Sequence, residues 1–145
     1  MTDLETRPHY GIGIILYGLY AWTTVLVCVL IAFFCTLLVP GLDRRRRWVT
    51  ACARAPFRLS GISVEVTGLD NIPAGSSVVV SNHASYLDGM LLQAFLPPRF
   101  SYVIKGEMQN MPVIGFLLHR IGSKFVERFD ASGSARDARN LLRAA

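Results

Sequence analysis

This sequence predicts an α/β fold, a mixed sheet flanked by helices, carried behind an N-terminal membrane helix or helical hairpin. Three observations predict it. From Tyr10 to Val39 there are 30 residues without a single Asp, Glu, Lys or Arg. Beyond residue 60, short β-branched or aromatic runs alternate with helical stretches, the pattern of a layered α/β domain. Between two of those stretches lies Ser81-Asn82-His83-Ala84-Ser85-Tyr86-Leu87-Asp88, a compact block of polar side chains.

Residues 1–9 read as a polar tail and residues 10–40 as a membrane-embedded anchor. A spanning helix needs about 20 predominantly apolar residues, so the run can cross a bilayer with tilt or bend back at an interface. Gly11, Gly13 and Gly18 suit that setting, because glycine is more frequent in membrane helices. A secretory signal fits badly. The first nine residues carry Asp3, Glu5 and only Arg7, so the basic leading segment is missing. Pro40-Gly41 ends the run.

Residues 41–59 read as a basic interfacial helix. Trp48, Ala51, Cys52 and Ala55 share one face, while Arg44, Arg47, Arg54 and Arg58 fall largely elsewhere, as in a helix lying in the headgroup plane. Pro56 is expected to end it. Arg44-Arg45-Arg46-Arg47, directly behind the apolar run, reads as a stop-transfer signal and puts the remainder of the chain on the cytoplasmic face. From Gly41 onward there are 14 Lys and Arg against eight Asp and Glu. A tethered basic domain is drawn to anionic headgroups by roughly 1 kcal/mol per basic residue near the surface. Nucleic acid is excluded as a partner because no binding motif accompanies the charge. Cys28, Cys35 and Cys52 make no metal pattern and no disulfide framework, and read as small buried hydrophobes.

Residues 60–145 carry the chemistry. Gly61–Val66 alternates apolar and polar residues with the period of a strand. Gly68–Gly75 is turn chemistry. Ser77–Val80 is a continuous β-branched run, as expected of a strand covered on both faces. Asp88–Phe95 is expected to be helical up to Pro97-Pro98, Phe100–Ile104 a strand, Pro112–Ile121 a helix, Ser123–Glu127 a strand, and Ser134–Ala145 a polar helix.

His83 and Asp88 are the candidate catalytic pair. Histidine is the side chain best suited to take a proton near neutral pH, and a carboxylate on its far ring nitrogen fixes the tautomer and stabilises the imidazolium. No serine or cysteine nucleophile accompanies the pair, so the base is expected to activate a hydroxyl that the substrate brings. The competing structural reading is that Asp88 merely caps a helix.

The block Asn82-His83-Ala84-Ser85-Tyr86-Leu87-Asp88 resembles the N-H-x-S-x-x-D block of the glycerophospholipid acyltransferases, of which the 1-acyl-sn-glycerol-3-phosphate acyltransferases are typical. Ile104–Met108 and Met111–Gly115 are similar to that family's K-x-E-(L/M) and P-x-x-G segments. Gly122–Arg128 is similar to its second block, G-x-x-F-(I/V)-(D/E)-R. The likeness covers roughly Phe57 to Phe129.

The resemblance implies a glycerol-phosphate acyltransferase-like catalytic domain. His83 is the general base on the acceptor hydroxyl, steadied by Asp88. The substrate-binding set is Arg128, Lys105, Asn82, Ser85 and Gly122. Arg128 takes the acceptor phosphate and Lys105 adds a point charge. Asn82 and Ser85 shape the loop, and Gly122 permits a tight turn into the last strand. The co-substrate is acyl-CoA or acyl-carrier protein, the acceptor a lysophospholipid in the membrane, and no cofactor or metal is required. His119 is expected to be a helix-surface residue rather than a ligand. The family's third block, (F/V)-P-E-G-(T/S)-R, does not occur, so the chain is expected to be the N-terminal portion of such an enzyme, with weak or no turnover on its own. A non-catalytic membrane protein that keeps the loop for lipid or acyl-donor binding is the competing function, and a thioester hydrolase is a third.

Overall fold

The structure, a computed structural model, describes residues 11–82 and 85–126. In chain order these form α1 (Ile12–Leu38), α2 (Leu42–Leu59), a 3-10 turn at Leu69–Asn71, α3 (Tyr86–Phe95), β1 (Val103–Lys105), a 3-10 turn at Gly106–Asn110, α4 (Pro112–Arg120) and β2 (Lys124–Val126).

α1 is one uninterrupted helix of 27 residues, long and apolar enough to cross a membrane. Its outer face, including Ile12, Leu16, Leu19, Trp22 and Leu26, is exposed. Its inner face carries Cys28, Ala32 and Thr36, small side chains four residues apart and all buried. That spacing keeps them on one side of the helix, where their size lets neighbouring helices approach. Gly41, at φ 85°, makes the corner that sends α2 back along α1, a backbone region open to glycine at little cost. The far ends of the two helices then meet. Tyr17 Oη donates to the Ser60 carbonyl at 2.8 Å and Tyr20 Oη to the Leu59 carbonyl at 3.0 Å. The hairpin is therefore α1 against α2, and not a bend inside residues 10–39.

Pro56 does not end α2, which runs on to Leu59. A proline inside a helix removes one intrahelical hydrogen bond. Here the last turn is held from outside. Pro56 and Phe57 are buried, the Phe57 ring lies 5.7 Å from that of Phe95 on α3, and Ser60 N–H closes the helix on the Pro56 carbonyl at 2.9 Å.

β1 and β2 pair in parallel, Val103 opposite Lys124, Ile104 opposite Phe125 and Lys105 opposite Val126. Parallel strands need a crossover, and α4 supplies it. Pro112 opens α4 at a position where the missing N–H is no loss. Gly115 lets α4 lie against the preceding 3-10 turn, since a Cβ there would sit 2.4 Å from the Gln109 carbonyl oxygen. The core is the meeting of three helices, Ala32 from α1, Val49 from α2, and Leu117 with Ile121 from the end of α4, with Cys52 and Leu118 packed against it.

Two expected strands are corrected. Neither Gly61–Val66 nor Ser77–Val80 forms a ladder among the described residues. Ser77–Val80 is not covered on both faces, with Val78 90% and Val80 89% exposed. β-branching favours extended backbone, but a strand is held by its neighbours, and no described strand lies beside this run. Among the described residues the expected mixed sheet is present as a two-stranded parallel one. The Phe100–Ile104 strand is Val103–Lys105, and Ser123–Glu127 is Lys124–Val126 in its described part. The expected helix at Ser134–Ala145 lies outside the described residues.

Candidate functional site

The polar block sits where the chain enters α3. Ser81 and Asn82 are exposed in non-regular backbone, and Ser85 is the N-cap of α3, with φ −137° and ψ 149°. Ser85 Oγ accepts from Leu87 N–H at 3.2 Å, and Asp88 Oδ2 accepts from Ser85 N–H at 2.8 Å. This is a reciprocal capping box, and it explains the serine and the aspartate three positions apart. The carboxylate is thereby fixed in the first turn of α3, at the positive end of the helix dipole. Asp88 caps α3. It engages Oδ2, and a carboxylate offers two oxygens with about four lone-pair sites, so capping is compatible with a further partner. His83 lies outside the described residues.

The second group of candidates lies along the strand pair. Lys105 closes β1, and its Nζ is 2.8 Å from Glu107 Oε1 in a pair open to solvent. Its strand partner is Val126. Arg128, two residues further on in the sequence, lies outside the described residues. Gly122 forms the turn between α4 and β2 at φ 81°, and a Cβ there would come within 3.1 Å of Arg46 Nη2. His119 is exposed on α4. Among the described residues no group of three His, Cys, Asp or Glu could hold a metal ion.

Sequence reading missed a set of arginines. The last carbonyls of a helix lack intrahelical partners, and here side chains from other elements supply them. Arg45 Nη1 donates to the Arg120 carbonyl at 2.8 Å and Arg46 Nε to the Ile121 carbonyl at 2.8 Å, both at the end of α4. Arg120 in turn donates to the Thr36 carbonyl of α1, and Arg54 Nε to the Ala94 carbonyl of α3. Half of the Arg44–Arg47 run is therefore turned into the fold, which a stop-transfer reading does not anticipate. Arg44 and Arg47 line an open depression with Trp48 and Ala51. The available signal was the density of arginine in α2, more than one polar helix face needs.

Arg46 is the most buried of these arginines, at 9% exposure. Besides Ile121 it donates through Nη1 to the Arg99 carbonyl at 3.1 Å and through Nη2 to Ser101 Oγ at 2.7 Å. Tyr102 Oη donates to the Leu92 carbonyl of α3 at 3.2 Å. Burial pushes the Tyr102 phenol up to about 12, against a smaller opposing pull from Arg46. It stays protonated and is a hydrogen-bond donor at neutral pH.

A family model described as acyltransferase matches residues 63–145. A 1-acyl-sn-glycerol-3-phosphate acyltransferase of Saccharomyces cerevisiae is 29% identical over 102 residues, covering 69% of this chain and 33% of the relative. An enzyme of the same name from Pseudomonas aeruginosa is 32% identical over 112 residues, covering 74% and 43%. A lyso-ornithine lipid O-acyltransferase of Pseudomonas aeruginosa is 33% identical over 106 residues, covering 68% and 37%. The chain thus spans less than half the length of these relatives. No solved structure matches it. The family model covers more than half of the chain, which belongs to the acyltransferase family.

Proposed function

As a member of the acyltransferase family, this chain, we propose, moves a fatty acyl group from a thioester donor to the free hydroxyl of a lysophospholipid, with 1-acyl-glycerol 3-phosphate as acceptor. His83 takes the hydroxyl proton as the acceptor oxygen attacks the thioester carbonyl. The carbon–sulfur bond then breaks, and the imidazolium returns the proton to the leaving thiolate of coenzyme A or acyl-carrier protein. General base catalysis of this kind is worth about 10²–10⁴-fold. Asp88 holds the imidazole and stabilises its charged form. Arg128 takes the acceptor phosphate with its forked guanidinium, with Lys105 adding charge. Asn82 and Ser85 shape the loop.

One observation carries this reading. The Asp88 carboxylate, five positions after His83 in the sequence, is held by the Ser85 backbone N–H in the first turn of α3, which supports its reading as the acid that steadies the base. The relatives' names support the acceptor class. The apolar surface of α1 supports a membrane site, in which the lipid acceptor reaches the loop from the bilayer. We place the catalytic part on the cytoplasmic face.

The test is transfer of labelled palmitoyl from palmitoyl-CoA to lysophosphatidate in membranes holding the protein. The His83→Ala variant is expected to lose it. Transfer that survives this substitution would overturn the reading, and thiol release without acceptor would replace it with a hydrolase.

A further inference from the structure

α2 divides its arginines between two faces. Arg46 is buried on the side that holds Val49, Thr50 and Phe57, and Arg45 reaches from the flank to the Arg120 carbonyl. Arg44, Arg47, Trp48 and Ala51 fall at i, i+3, i+4 and i+7, so they share the opposite face. All four are exposed, and they line one open depression in which no acid takes part. Among the described residues, neither Arg44 nor Arg47 has a hydrogen bond, an ion pair or a ring contact. Asp43, the one acid of α2, lies a residue ahead and pairs with neither.

The chemistry of this face selects its occupant. Two guanidinium forks without an acid between them match an anion that accepts several hydrogen bonds, and a phosphate does so with good geometry. An indole beside them narrows the choice. The Trp48 ring is 53% exposed, and tryptophan, with an apolar body and one N–H, favours the boundary between water and lipid. Apolar surface adjoins the same end of the helix. Leu38 closes α1 at 82% exposure and Leu42 opens α2 at 40%, directly ahead of Arg44. α2 runs back along α1 and is tied to it by Tyr17 and Tyr20, so the apolar outer face of α1 brings α2 with it to the bilayer. A free anion from solution accounts for the two guanidinium groups, but for neither the exposed indole nor the leucines.

The geometry points to a binding site on α2 for the phosphodiester of an anionic glycerophospholipid resident in the leaflet. Arg44 and Arg47 hold the phosphate. Trp48 lies against the glycerol backbone, and Leu38 and Leu42 meet the first carbons of the acyl chains. Ala51, with only a methyl group, leaves the floor of the depression open for the headgroup. This lipid is not the acceptor, and the site does not draw on the roles given above to His83 and Asp88.

The experiment reads Trp48 directly. The chain has two tryptophans, so Trp22→Phe leaves Trp48 as the single reporter. The detergent-solubilised protein is titrated in micelles doped with phosphatidylglycerol, in micelles doped with phosphatidylcholine, and with inorganic phosphate. A saturable change in Trp48 emission is expected with phosphatidylglycerol alone. Arg44→Gln and Arg47→Gln are each expected to raise the half-saturating mole fraction about fivefold, the scale of one basic residue at an anionic surface. Arg58→Gln is the control. It removes the same charge from an exposed position on α2, about 21 Å further along the helix, beyond the reach of unscreened attraction. It is expected to leave the titration unchanged. If Arg58→Gln weakens binding as much as Arg44→Gln does, the attraction is diffuse and the site is overturned. An equal response to phosphatidylcholine overturns it as well, since the guanidinium groups then select nothing. A response to inorganic phosphate as strong as that to phosphatidylglycerol assigns the depression to a soluble anion and overturns the lipid.

Discussion

Arg120 Nη2 lies 2.6 Å from the carbonyl oxygen of Thr36, with Nε at 3.1 Å, so the end of α4 closes the end of α1. The Thr36 side chain is itself fully buried, and the Arg120 guanidinium also lies 6.0 Å from the centre of the Phe116 ring. The apolar helix and the β1–α4–β2 unit are thus joined by a polar contact at their shared edge, beside the apolar one between Phe33 and Phe116.

Arg120→Ala leaves the Thr36 carbonyl without this donor. Loss of a partner to a part-buried carbonyl costs about 1–3 kcal/mol. For a chain of this size that lowers the melting temperature by a few degrees, at roughly 2–4 °C per kcal/mol. Calorimetry in detergent checks it, and a melt equal to wild type would remove Arg120 from the joint.

Two glycines give opposite expectations. Gly115→Ala drives a Cβ to 2.4 Å from the Gln109 carbonyl oxygen and 2.8 Å from that of Met108, both rigid backbone, and is expected to destabilise by about 1–3 kcal/mol. Gly89, in the exposed part of α3, has nothing within 4 Å of a new Cβ, so Gly89→Ala gains up to about 1 kcal/mol of helix propensity. Urea melts of the two variants should move to opposite sides of the wild type.

What the sequence disclosed divides along a physical line. Local signals were legible. Pro112 at the start of α4, Gly122 in the turn after it and the uncharged run of α1 each act within a few residues of themselves. Tertiary partners were not. Arg45 and Arg46 read as two charges in a basic run, because nothing within α2 says that the carbonyls of Arg120 and Ile121 await them some 75 positions later. Pro56 reads as a stop because the packing of Phe57 on Phe95 cannot be seen from the sequence. Val78–Val80 reads as buried because a β-branched run reports preference for a sheet, and the sheet needs neighbours.

Capping and catalysis can be separated at α3. Ser85→Ala removes the side-chain acceptor of the cap, worth about 1 kcal/mol, and leaves the acid in place. Asp88→Asn keeps an oxygen able to accept from Ser85 N–H, so the cap largely survives while the charge is lost. The expected outcome is a lower melting temperature with most activity for Ser85→Ala. For Asp88→Asn, near-normal melting is expected with kcat/KM down by about 10²–10⁴. If both variants lose stability and activity in proportion, Asp88 is a cap alone.

The hairpin makes a prediction about the membrane. Thr24 Oγ1 on α1 lies 3.4 Å from Ser60 Oγ just past α2, close to disulfide reach for two short side chains. With Cys28, Cys35 and Cys52 replaced by alanine, Thr24→Cys and Ser60→Cys together are expected to form a disulfide on mild oxidation in native membranes. The bond would mean that α1 keeps α2 alongside in the lipid, with both ends of the pair held together. A helix that leaves α2 to cross the bilayer alone would give no cross-link, whatever its apolar length.

Alkaline pH tests the packing around Tyr102. Burial raises its phenol from 10.0 to about 12. Between those values the unfolded chain releases the proton while the folded one keeps it. The stabilising contribution is therefore fully present below pH 10 and is lost as pH rises towards 12. Ionisation would also remove the donor to Leu92 and loosen β1 from α3. In Tyr102→Phe the fall in stability over that window is expected to be shallower, although the variant starts lower for want of the hydrogen bond. A phenolate absorbance titration compared between the two proteins should assign the late-titrating step to this residue. If the difference titrates at the ordinary tyrosine value instead, the end of α3 is open to water, and the β1 strand is not held against it as the Leu92 contact implies.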